Sequence, residues 1–135
     1  MFYDLFKGYR EYKAETLSSS CFINDGKGNF TRTDLPDEMQ FAPVFNFTSV
    51  QQNQQTAFMA TGNFYGVVPY EGRYDALLPT LATYNKNAAR FDHPVSLPAI
   101  DGEVRDAKWI NTAKGKIMAI ARNNKGIVFL KPATE

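Results

Sequence analysis

Apolar positions in this chain fall in short runs, about five to ten residues long, cut off by Gly, Pro, Asn and Asp. Runs of that length, rich in Phe, Val, Ile, Thr and Tyr, read as antiparallel strands. The pattern predicts strands at about 16–23, 30–35, 41–50, 56–63, 77–84, 90–95, 104–111, 116–122 and 126–131. The clearest junction is the segment from Cys21 to Thr31, where Asn24-Asp25-Gly26-Lys27-Gly28 separates two apolar runs. Gly26 and Gly28 can take positive φ without a Cβ penalty, and Asn24 and Asp25 can bond neighbouring backbone groups. A β-hairpin with Phe30 opening its second strand is therefore expected. Helical spacing occurs only at Phe2, Leu5, Phe6 and Tyr9, which predicts a short helix within 2–16, weakened by Gly8. Pro94 and Pro98 are read as bracketing a linker into a last three-stranded meander.

Composition adds limits more than direction. The 135 residues suit one domain with a real core, and 44% hydrophobic content excludes disorder. A net charge of +1, with Lys and Arg scattered, gives no electrostatic case for nucleic acid or anionic lipid. The single cysteine, Cys21, permits no internal disulfide and is read as a buried structural thiol. No apolar run is long enough to span a membrane, and 1–7 lacks the features of a signal peptide.

Three pieces of the chain resemble FG-GAP/VCBS-repeat β-propeller proteins, of the kind common among surface and secreted proteins of Bacteroidetes. Phe22-Ile23-Asn24-Asp25-Gly26-Lys27-Gly28-Asn29-Phe30 resembles the outer hairpin of a blade. Gln40-Phe41-Ala42-Pro43-Val44, followed by Thr61 to Val67 and Gly72 to Ala76, resembles a blade with a long loop. Gly102 to Asp106, with Ala121 to Asn124, resembles a closing blade. The resemblance implies an all-β chain of about two and a half antiparallel propeller-type blades. These are a lead-in at 1–16, a half blade at 17–36, a full blade at 40–98 and a three-stranded last blade at 102–132. Propellers usually close with about 4–8 blades, so the ring is incomplete and the chain is expected to be the C-terminal part of a longer protein. That parent is expected to be secreted or on the cell surface, and the open blade faces to self-associate.

Blades of this family often bind calcium between their first two strands. The matching place here, Ser49 to Thr56, holds no carboxylate to compensate a divalent ion, so neither metal nor cofactor is expected. The long loop carries Tyr65, Tyr70, Glu71, Arg73, Tyr74 and Asp75. Aromatic faces with carboxylates and an arginine suit a carbohydrate or protein ligand, and these six are the candidate binding residues. The plainer reading is that Arg73 and Asp75 anchor the loop while its tyrosines pack on the neighbouring blade.

Glu103 and Arg105 alternate along a strand and are expected to share a face and form an inter-blade ion pair, with Asp106 on the other face. His93, between Asp92 and Pro94, reads as a surface or turn histidine. The function expected is a non-catalytic binding or scaffolding module. The alternative is a carbohydrate-active enzyme using Glu71, Asp75, Glu103 or Asp106, which requires two converging carboxylates.

Overall fold

The computed structural model describes residues 8–52 and 55–131. Its strands are β1 (Ser20–Asn24), β2 (Phe30–Asp34), β3 (Val44–Gln52), β4 (Gln55–Gly62), β5 (Thr80–Asn85), β6 (Arg90–Ser96), β7 (Val104–Thr112), β8 (Gly115–Arg122) and β9 (Val128–Leu130). They form three antiparallel sheets, β1-β2, β3-β4-β5-β6 and β7-β8-β9, none closed into a barrel. The chain is all-β, and no helix among the described residues is long and apolar enough to cross a membrane.

The Asn-Asp-Gly turn forms as its residues dictate. Gly26 and Gly28 sit at φ 77° and 92°, and the Asn24 side chain accepts the Gly26 N–H at 2.8 Å. Asp25 Oδ1 accepts from Lys27 N at 2.7 Å and Asn29 N at 3.1 Å. These bonds, with the Asn29 side-chain amide foremost, hold the Asp25 carboxyl below its usual pKa.

The middle sheet buries both faces, and alternation along its strands divides them. Val44, Phe58, Ala60, Ala82 and Phe91 pack toward the first hairpin with Leu35 and Met39, and Cys21 lies against this cluster. Val50, Met59 and Leu81 pack toward the last sheet, against Val104, Ala107, Trp109, Met118 and Ile120. Phe47 stacks on Phe58 at 5.3 Å, and Phe91 meets both rings edge-on.

The architecture repeats. The hairpin Val44–Gln52/Gln55–Gly62 recurs as Val104–Thr112/Gly115–Arg122, each bound 60 positions further on. The recurrence includes an irregularity: Val44 pairs with Gly62 and Asn46 with Thr61, just as Val104 pairs with Arg122 and Asp106 with Ala121. Each first strand thus carries a one-residue bulge, at Phe45 and at Arg105. Beyond it, Asn63 N donates to Pro43 O at 3.0 Å and Asn123 N to Glu103 O at 2.8 Å. The outer hairpins correspond too: Leu35 N bonds Ser19 O, and Leu97 N bonds Pro79 O. Leu35 with Met39 and Leu97 with Ile100 then plug successive inter-sheet cores.

Several expectations need correction. Residues 8–16 contain no helix and are exposed, while the rest of the proposed helix lies outside the described residues. Pro94 belongs to β6 rather than to a linker, because a bulge between the pairs Leu81–Val95 and Thr83–Asp92 spares its missing N–H from the ladder. His93 occupies that bulge at φ 55° and is exposed, so it is the surface histidine expected, set in a strand bulge rather than a turn. Residues 37–39 form a 3-10 turn that no sequence period announced.

Candidate functional site

The most elaborate region joins the long loop of the middle blade to the start of the last sheet. Between β4 and β5 the chain runs 17 residues, 63–79, whereas the corresponding turn between β8 and β9 takes five, 123–127. Blade stacking alone does not require the extra length.

Asn63 organises the loop. It is 2% exposed and sits at φ 81°, a left-handed conformation that Asn tolerates better than most residues. Its Nδ2 donates to Leu77 O and Gly102 O, both at 2.9 Å, and its Oδ1 accepts from Leu77 N at 2.9 Å. One side chain therefore closes the loop and ties it to the linker of the last blade. A two-way backbone bridge between Phe64 and Tyr74, at 2.8 and 3.0 Å, narrows the loop's waist.

Glu103 completes the junction. Only 3% exposed, it accepts at Oε1 from Tyr65 N at 2.9 Å and from Arg105 Nη2, and at Oε2 from Asn123 Nδ2 at 2.6 Å. The Tyr65 backbone bond is the largest cause of a lowered pKa; burial opposes it, and Asn123, Arg105 and Arg73 add to it. Arg105 also donates to Asn63 O at 3.4 Å, and its guanidinium lies 4.2 Å from the Phe45 ring centroid. The bulged residues of the two blades thus meet as a cation–π pair.

The expected inter-blade ion pair needs refinement. Glu103 and Arg105 do share a face, but they pair within the last blade, and backbone groups of residues 63 and 65 carry the link to the middle blade. Asp106 lies apart, accepting from Asn46 Nδ2 at 2.9 Å and pairing with Lys108 at 3.1 Å.

An open cleft of about 560 Å³ lies over this junction, lined by Phe64, Tyr65, Arg73, Glu103, Arg105 and Lys125 among others. Of the six loop candidates, the structure brings Tyr65 and Arg73 to the cleft, with the Arg73 guanidinium 5.0 Å from the Tyr65 ring centroid. Tyr70, Glu71, Tyr74 and Asp75 do not line it; Tyr70 is 87% exposed. The expectation that Arg73 and Asp75 anchor the loop is also corrected. The anchors are Asn63, Glu103 and the Phe64–Tyr74 bridge, because backbone groups in an ordered loop need partners that two surface charges do not supply.

Chemically, the site presents cations and aromatic faces. The acids proposed for catalysis do not converge: Glu103 is occupied by three donors, Asp106 bonds elsewhere, and Glu71 and Asp75 lie off the cleft. Among the described residues, no group of three or more His, Cys, Asp or Glu is placed to hold a metal ion. Phe64, Arg105, Asn123 and Lys125 were not singled out as cleft residues from the sequence. The Glu103-x-Arg105 spacing was legible, but no local signal connects residue 65 to residue 123. Compared with known proteins, the chain matches no family model, no curated protein and no solved structure.

Proposed function

We propose that this protein is a non-catalytic scaffolding and binding module of the FG-GAP/VCBS propeller kind, whose blades stack on further blades through two open end faces. The observation that carries the reading is the 60-residue repetition. The last sheet faces the middle one with Val104, Ala107, Trp109, Met118 and Ile120, and strand alternation puts Ile110, Ile117, Ala119 and Phe129 on its outer face. Ile110 and Phe129 are 43% and 58% exposed. Their counterparts in the middle sheet, Val50 and Leu81, pack against the following sheet. At the other end, Phe22 and Phe30, 63% and 62% exposed, occupy the face of the first hairpin that points away from Cys21.

The two ends are opposite halves of an interface the chain already uses internally, so head-to-tail association covers both. Exposed apolar sheet faces of this kind ordinarily mark contact surfaces. Of the acids a hydrolase would need, Glu103 and Asp106 are engaged in structure and Glu71 and Asp75 lie off the cleft, which favours binding over catalysis. A secreted or surface-bound parent goes with the propeller resemblance.

Light scattering on the purified chain tests this. The mass should be a multiple of 15.2 kDa, and Phe129→Asp or Phe22→Asp should return it to one chain with the fold retained by circular dichroism. A compact monomer for the unaltered chain at all concentrations would remove the stacking reading.

A further inference from the structure

We propose that the cleft between the long loop and the last sheet binds an acidic saccharide, with Arg73 as the residue that receives its carboxylate and the aromatic wall beside it receiving the sugar ring. The inference stands on the cleft alone and does not depend on whether blades stack between copies.

Charge narrows the ligand first. Three cations line the cleft: Arg73, Arg105 and Lys125. Arg105 is committed to Glu103, and Lys125 to Asp101 at 2.5 Å. Arg73 stacks on Tyr65 but has no hydrogen bond or ion pair among the described residues, which leaves its donor fork unspent. Arg73 is thus the cleft cation with donors to spare, and a monoanion received there is set less strongly against the neighbouring Glu103 carboxylate than a phosphate dianion would be. A planar guanidinium fork suits a carboxylate in two-point contact.

The rest of the wall favours a sugar as the carrier of that carboxylate. Tyr65 and Phe64 supply aromatic surface for the C–H face of a pyranose. Asn123 spends its Nδ2 on Glu103 and leaves Oδ1 without a partner among the described residues, free to accept from a hydroxyl. Asn124, held at φ 54°, lies beside it in the lining. The volume is within the common range for small-ligand sites, roughly 300–1,000 Å³.

The site is also built in advance. Arg73 adjoins Tyr74, whose backbone bridges Phe64 in both directions, and Tyr65 is fixed through Glu103. The loop backbone therefore needs little ordering on binding, which leaves mainly the exposed Arg73 side chain to be fixed. The loop carrying Arg73 and Tyr65 is the segment that the last blade does without, as expected of an addition made for contact rather than for folding.

The test is calorimetric titration with a galacturonate trisaccharide, alongside the neutral galactose trisaccharide and a triglutamate peptide as comparators. The uronate should bind at least tenfold more tightly than either comparator. Arg73→Ala should lose at least tenfold in affinity with its thermal transition unchanged, while Lys27→Ala, on the distant first hairpin, should bind as the unaltered chain does. No binding of the uronate, equal binding of the neutral sugar, equal binding of triglutamate, or an Arg73→Ala variant that binds normally would each overturn the proposal. The triglutamate result would point instead to non-specific attraction or an acidic peptide.

Discussion

Gly62→Ala is expected to be the most damaging single methyl in this protein, costing about 3 kcal/mol or more. A Cβ at this position falls well inside contact distance of the Pro43 carbonyl oxygen, and only 2.8 Å from its carbonyl carbon. Both are backbone atoms of the residue just before β3, whose first residue Val44 pairs with Gly62, and they cannot rotate away. That carbonyl also accepts the Asn63 N–H, so any shift to relieve the clash disturbs the residue that closes the long loop. The last blade carries Arg122 at the equivalent place, so the crowding belongs to the middle blade and not to the repeat. Urea unfolding of the variant measures the cost, and a value under about 1 kcal/mol would show that the Pro43 peptide yields and that the packing argument is mistaken.

Removal of the Glu103 carboxylate comes second in expected effect. Glu103→Ala strands the Tyr65 N–H, the Asn123 amide and a half-exposed Arg105 at once, and each buried group left without its partner typically costs about 1–3 kcal/mol. Glu103→Gln keeps the shape and one acceptor and should cost less. The pH dependence separates charge from packing. The folded pKa of Glu103 lies below the unfolded value near 4.5, so its charge contributes stability above about pH 4.5 and loses it as pH falls through the folded value. The stability gap between the unaltered chain and Glu103→Gln should therefore be widest near neutral pH and shrink at pH 3. A gap independent of pH would mean that the carboxylate acts by shape alone. Asp34, Asp92 and Asp101 also have lowered pKa values, from Ser20, Asn85 and Lys125 respectively, so both proteins should weaken in acid.

Much of the candidate site was hidden from local reading. The loop at 64–75 announced itself through glycines and aromatics, and Tyr65 and Arg73 do reach the cleft. Tyr70, Glu71, Tyr74 and Asp75 are equally plausible by composition, yet they do not line the cleft. The 60-residue repetition escaped for a different reason. Val44 and Asn63 recur as Val104 and Asn123, but Phe47 is replaced by Ala107 and Gly62 by Arg122. A sheet face asks for apolar volume distributed among neighbours, so paired substitutions preserve the packing while erasing the likeness.

The strands, their antiparallel hairpins and the all-β class follow from local patterning, because a period of two and turn residues of fixed conformational preference act over only a few neighbours. The Asn24–Gly28 turn formed as its residues require. Long-range packing sets where the bulges at Phe45 and Arg105 fall, how Asn63 closes the loop onto Gly102, and how Glu103 fastens Tyr65 to Asn123. These contacts of Asn63 and Glu103 join residues 20 to 39 positions apart. They exist because buried polar groups must find partners wherever packing brings them, a condition that no local stretch of sequence can express.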